Sequence, residues 1–263
     1  MTTDTAPADG TRLLSKVPQV TLVFWLVKIC ATTVGETGGD ALSMSLHLGY
    51  LVSTLIFLGC FAVALAAQLF VKRYHAWIYW LVVVSTTTVG TTTSDFLDRT
   101  AGLGYAMSTA VELTAVIAML VVWRLVTGRI AVDHITDRRN EIFYWLTILI
   151  SNTLGTALGD FTADDELGGL GLGFETGALI FIGLLALVVA ARYLTRLPAA
   201  VLFWAAYVLT RPLGATLGDT ITKPLAEGGL NLDRFAATFA IAALMVAILA
   251  FSHWRRKASP RPG

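Results

Sequence analysis

Four aspartates recur in this 263-residue chain at one fixed distance from a tryptophan and a glycine, which on helices would hold four carboxylates at a single level. In each copy a Trp is followed ten residues later by a Gly and five residues after that by an Asp, with no insertion or deletion: Trp25/Gly35/Asp40, Trp80/Gly90/Asp95, Trp145/Gly155/Asp160 and Trp204/Gly214/Asp219. Carboxylate oxygens are hard ligands suited to Ca2+, Mn2+ or Mg2+. The surrounding text, TTVGETGGD, TTVGTTTSD, NTLGTALGD and RPLGATLGD, adds a band of neutral oxygens, with Thr33, Thr88 and Thr153 in one register. Together they predict a site or path for a small ion, with a divalent cation as the leading substrate and no resident cofactor. The competing reading is that each Asp merely ends its own helix or caps the next segment.

Charges that break the repeat point the same way. Glu112 falls eight residues into its hydrophobic segment, roughly 12 Å deep by helix rise, where no other copy has a charge. It is a candidate coupling carboxylate or proton acceptor. Arg211 stands where the other copies have Thr32, Thr87 and Asn152, a fixed positive charge in place of a neutral oxygen, and Lys28 is a second buried base on a first helix. Glu36, one residue after Gly35, is the remaining acid of the set, and which acid Arg211 pairs with stays open.

The elements that must position these residues are membrane helices. Hydrophobic residues make up 56% of the chain, charged residues 14%, and mean hydropathy is +0.70, a balance of membrane proteins. Apolar stretches of bilayer-spanning length recur near 18–39, 48–70, 76–96, 104–126, 141–161, 173–191, 198–220 and 235–254. The expectation is an all-α, polytopic integral membrane protein of eight transmembrane helices from four two-helix repeats. The repeats divide as 17–73, 74–129, 138–196 and 197–256, with a polar N-terminus at 1–16, a linker at 130–137 and a tail at 257–263. An even number of crossings per unit keeps all four parallel. Lys and Arg collect at Arg12/Lys16, Lys72/Arg73, Arg124/Arg129/Arg138/Arg139, Arg192/Arg196 and Arg255/Arg256/Lys257, always on one side of the alternating path. The positive-inside rule makes that side, and both termini, cytoplasmic. From a Trp near that interface, fifteen helical residues advance about 22 Å, so the aspartates belong to the outer third of the bilayer. A carboxylate costs roughly 2.5–3.5 kcal/mol at the bilayer centre and less toward its edge, which calls for partners. The tryptophans read as interfacial anchors; Gly35, Gly90, Gly155 and Gly214 read as points of close helix approach.

On these residues the chain resembles a bacterial family of uncharacterised membrane proteins built from four tandem two-helix repeats with a characteristic Trp, matched by Trp25, Trp80, Trp145 and Trp204 across roughly 17–256. The resemblance implies the architecture and a bacterial inner-membrane location, and it brings no activity. Glu36-Thr37-Gly38-Gly39-Asp40 also resembles the Glu-x-Gly-Asp signature of Ca2+/Mn2+ exporters, with one extra residue between the acids and no basic residue after the Asp.

Other classes lack support. No basic run interleaved with aromatics suggests nucleic acid, and the four histidines are scattered without zinc spacing. GGLGLG at 168–173 has no strand before it. Cys30 and Cys60 read as small, buried, reduced thiols. Two alternatives to transport stay open: an intramembrane enzyme on a lipid or hydrophobic substrate using Glu36, Asp40 and Glu112, or a non-catalytic scaffold or sensor. Beyond the bilayer and a small ion or solute no partner is predicted.

Overall fold

The computed structural model describes residues 18–71, 73–130, 135 and 137–258. Arg12, Lys16, Lys72 and His134, and the polar terminus and tail at 1–16 and 259–263, lie outside the described residues. Eight long helices follow in order: α1 (Leu22–Asp40), α2 (Gly49–Phe70), α3 (Ala76–Asp95), α4 (Gly104–Thr127), α5 (Arg138–Ala163), α6 (Phe174–Leu194), α7 (Ala199–Thr222) and α8 (Arg234–Ala258). Among the described residues there is no strand. The helix limits are set locally. Thr21 accepts from the Phe24 amide at 3.3 Å to cap α1, and Asp137 accepts from the Asn140 amide at 2.8 Å to cap α5, each satisfying an amide that has no partner within the helix. Gly128, left-handed at φ 79°, closes α4. In the first two repeats the Asp is the last α-helical residue before a single π-helical turn, Ala41–Ser45 and Phe96–Thr100. In the last two the α-helix runs three residues beyond it.

The first helices of the repeats, α1, α3, α5 and α7, form a closed ring in which α7 returns to α1. Each second helix lies outside the ring against the first helix of the following repeat: α2 on α3, α4 on α5, α6 on α7, and α8 back on α1. The second helices keep most of their apolar surface outward, including Leu55, Val63, Leu125, Leu187 and Phe239, as lipid requires. The polar residues are concentrated in the ring, where Thr32, Thr87, Asn152 and Arg211 are all fully buried. Among the described residues six helices are long and apolar enough to cross a membrane. The expectation of eight is met in number of helices; α1 and α3 fall short in composition because α1 carries Lys28, Glu36 and Asp40 and eight of the twenty residues of α3 are Ser or Thr.

Glycine notches close the ring. A Cβ on Gly35 would collide with Thr87, on Gly90 with Asn152, on Gly155 with Arg211 and on Gly214 with Thr32. The residue three before each glycine thus fills the notch of the preceding repeat, around the full circle. Hydroxyls of the same residues tie the seams: Thr87 Oγ1 donates to the Ala31 carbonyl at 3.0 Å and Thr32 Oγ1 to the Thr210 carbonyl at 3.1 Å.

The tryptophans repeat this cycle one layer away. Phe24 packs on Trp80 at 5.5 Å between ring centroids, Tyr79 on Trp145 at 5.4 Å, Tyr144 on Trp204 at 6.0 Å and Phe203 on Trp25 at 5.9 Å. Trp80, Trp145 and Trp204 are buried and Trp25 is half-buried. They are first of all seam-packing groups, where the sequence suggested interfacial anchors. The cysteines also depart from expectation: both are free, but Cys30 is half-buried and Cys60 exposed on the outer face, where lipid accepts a small apolar thiol.

Candidate functional site

Asp40, Asp95, Asp160 and Asp219 end up together at one end of the ring, each 2–4% exposed and within electrostatic range of one another. The glycine notches bring the helices close enough for this. The tightest group is Glu36, Asp40 and Asp219, whose ligand oxygens all lie within 4.8 Å of one another. Asp40 Oδ2 and Asp219 Oδ1 have no hydrogen-bond partner. Three buried carboxylates at that separation form a candidate seat for a hard cation, the only such group of three among the described residues.

Three cations rim the cluster, and the sequence reading missed their role. Arg99 Nε lies 3.7 Å from Asp95, Lys223 Nζ 3.7 Å from Asp219 and Arg234 Nε 3.7 Å from Asp40. Arg99 and Lys223 follow their aspartates by four residues, a helical ion-pair spacing legible in the sequence. Arg234 has no such local signal. It opens α8, at the position held by Tyr50, Tyr105 and Phe174 in the other second helices. Tyr50 lies in reach of Asp95, the Tyr105 hydroxyl donates to Asp164 at 2.9 Å, and Phe174 stacks 6.0 Å from the Lys223 ammonium. Each second helix therefore presents its first side chain to the aspartate end of the next repeat, Tyr50, Tyr105 and Arg234 to a carboxylate and Phe174 to the Lys223 ammonium. Arg99 divides itself further between Asp164 at 3.4 Å and Glu166 at 3.5 Å. Beyond the helix ends, Lys223 is held above the usual lysine range: burial opposes its charge, but Asp219, Asp40 and Asp160 outweigh that. It is a fixed cation of the rim.

One layer deeper Arg211 crosses the centre. Its Nη2 lies 2.8 Å from Glu36 Oε2, 2.6 Å from Thr91 Oγ1 and 2.5 Å from Thr156 Oγ1, which share its two hydrogens, joining all four first helices. Nε and Nη1 have no partner, although the side chain is fully buried. Glu36, Thr91 and Thr156 each follow their repeat's glycine by one residue, and this register, not that of Thr33, Thr88 and Thr153, meets Arg211. Those three donate to carbonyls one turn back in their own helices at 3.0–3.1 Å and are not among the partners of Arg211. Below Arg211, Lys28 donates to Asn152 Oδ1 at 3.3 Å and sits 4.2 Å over the Tyr207 ring. Next comes the aromatic layer, in which the Tyr79 and Tyr144 hydroxyls bond at 2.6 Å. Glu112 lies apart from the carboxylate trio, buried on α4 with neither oxygen hydrogen-bonded.

The arrangement can take a desolvated cation from the aspartate end, hold it among carboxylates, and stop it at the Arg211–Glu36 pair. A family model described as Repeat of Unknown Function (DUF347) matches residues 23–74, 78–129, 143–197 and 202–258. No curated protein and no solved structure matches the chain.

Proposed function

We propose that this chain, which belongs to the DUF347 repeat family, is a multi-pass membrane protein that passes a small cation, a divalent one first, along the axis of its helix ring. The single observation that carries this reading is the buried Glu36–Asp40–Asp219 trio, in which Asp40 Oδ2 and Asp219 Oδ1 accept no hydrogen bond and meet their cations only at 3.7 Å. Its charge balance agrees. Glu36, the four aspartates, Asp164 and Glu166, seven carboxylates in all, face five cations, Arg99, Arg211, Lys223, Arg234 and, one layer below Arg211, Lys28. The excess is negative and calls for a bound cation, since uncompensated buried charge is costly.

In this mechanism the aspartate end faces outward and the tryptophan end, where Lys and Arg collect, faces the cytoplasm of a bacterial inner membrane. The carboxylates replace water around the incoming ion. Glu36 is shared between the ion and Arg211, so an ion that engages Glu36 loosens the guanidinium that blocks the axis. Arg211 then acts as a tethered cation that gives way to a mobile one. Thr91 and Thr156 offer their lone pairs as the ion passes.

The test is flux into liposomes holding the purified protein, with Mn2+, Ca2+ and Mg2+ supplied in turn. Flux is expected for at least one ion, and Asp219→Asn or Glu36→Gln should abolish it in folded protein. Flux unaffected by either substitution, or none for any ion, would overturn the proposal. The second outcome would favour a sealed scaffold or sensor, a reading supported by the Arg211–Glu36 pair and the aromatic layer across the axis. An enzyme using Glu36, Asp40 and Glu112 as one set has less support, because Glu112 stands away from the other two.

A further inference from the structure

The second repeat carries acids that the other three lack, and they fall in one line. The buried stripe of α4 is Tyr105, Ser108, Glu112, Val116 and Trp123, in steps of three, four, four and seven residues and so on one helical face. At its aspartate end Tyr105 donates to Asp164, whose side chain is partly exposed. Next to it Asp98, fully buried in the π-helical turn after α3, accepts from Ser94 at 3.2 Å and has the Ser108 hydroxyl beside it. One turn deeper lies Glu112, 4% exposed, with both oxygens unpartnered. The corresponding residues of the other second helices are Phe57, Phe181 and Ile241, and those matching Asp98 are Ser43, Ala163 and Thr222. An apolar packing position has thus been given a carboxyl group, and a hydroxyl and a second acid connect it to the aspartate end.

We infer that Glu112 is a proton-binding site, filled from the aspartate end along Asp98 and Ser108. A carboxyl group buried in a membrane protein without a donor or an ion-pair partner is most stable when it carries a proton. Among the described residues, the charged groups that act on Glu112 are Asp98, on the turn after α3, and, from farther off in the ring, Arg211 on α7. Neither forms a salt bridge with it. Arg211 links this proton site to the axis: a charge appearing on Glu112 competes with Glu36 for the guanidinium. Proton release at Glu112 would in this way accompany opening of the Arg211–Glu36 pair, giving proton-coupled cation movement. The coupling rests on the transport reading; the proton site does not.

The test uses the full-length protein in micelles and dicyclohexylcarbodiimide, an apolar reagent that modifies protonated carboxyl groups. Labelling is followed from mildly acidic to mildly alkaline pH, and the modified residue is located by peptide mass. Glu112 is expected to label about tenfold faster than Glu175 or Glu227, as befits a protonated carboxyl in an apolar setting, with a rate that falls as pH rises; Glu112→Gln should remove the label. Absence of labelling at Glu112 throughout, or labelling that pH does not change, would overturn the inference, and the wild-type protein alone suffices to show it. Mn2+ binding, read by electron paramagnetic resonance on the same samples, reports the carboxylate trio separately. Labelled Glu112 without Mn2+ binding supports the proton site while removing the cation reading. Mn2+ binding without a labelled Glu112 does the reverse.

Discussion

Arg211 and Glu36 concentrate the energetic risk of the molecule in one contact. Both are buried and joined at 2.8 Å, and Arg211 also engages Thr91 and Thr156. Buried pairs of this kind often add little net stability, yet removing one partner leaves the other as an uncompensated charge and costs about 3–5 kcal/mol. Arg211→Gln alone should therefore destabilise the protein by about that much, and the double variant Glu36→Gln/Arg211→Gln should recover a large part of the loss. Chemical unfolding in micelles checks this; single variants within about 1 kcal/mol of wild type, the worth of an exposed pair, would show that the contact is solvated. Asp98 makes the opposite case. Burial holds its carboxyl above the ordinary value of 3.8, more strongly than Ser108, Ser94 and Arg99 relieve it. A native state that holds the proton more tightly than the unfolded chain is most stable below that ordinary value and loses stability as pH rises through the folded one. Asp98→Asn removes the loss. Its melting temperature should exceed that of wild type at neutral and alkaline pH and converge with it on acidification; a constant offset across pH would refute the burial effect.

At the scale of elements, the glycine notches decide how the helices meet. A methyl group on Gly90 would stand 2.9 Å from the Asn152 carbonyl carbon and 3.0 Å from the Thr153 nitrogen, backbone atoms that cannot turn aside, whereas one on Gly59 would meet nothing within 4 Å. Gly90→Ala should cost about 1–3 kcal/mol through overpacking, and Gly59→Ala should gain up to about 1 kcal/mol from helix propensity. Equal melting temperatures for the two variants would mean that the α3–α5 seam is not in close contact. The notches also explain which features were legible in the sequence. Hydropathy and the Trp–Gly–Asp spacing revealed the helices, the four units and the shared level of the aspartates, because each is a property of a single helix. The rotation of each helix about its axis is a property of two. It brings Thr91 and Thr156 to Arg211 and leaves Thr33, Thr88 and Thr153 on their own carbonyls, a shift of three residues that no spacing within one repeat encodes. The Arg99 and Lys223 pairs were readable as four-residue steps. Arg234 on Asp40 was not, since it joins the last repeat to the first.

Over the whole molecule, that last contact shows how the ring is held. Each repeat lends its second helix to the next, so no repeat covers its own first helix, and α8 covers α1 only because the circle closes. The two halves of the chain are consequently interlocked: α4 of the first half lies on α5 of the second, and α8 of the second lies on α1 of the first. Gly90 against Asn152 and Gly214 against Thr32 form the two seams between halves; Gly35 against Thr87 and Gly155 against Arg211 form the seams within them. Since all four seams use the same notch, the covalent link between halves adds proximity rather than a distinct contact. Residues 1–129 and 130–263, produced together as separate chains, should therefore assemble in the membrane and purify as a complex that melts within a few degrees of the intact protein. Either half alone exposes an uncovered polar first helix to lipid, where unsatisfied polar groups are costly, and should be degraded or pair with itself. Independent stability of the halves, with no association on co-production, would mean that the exchange of second helices around the ring is not what holds the four repeats together.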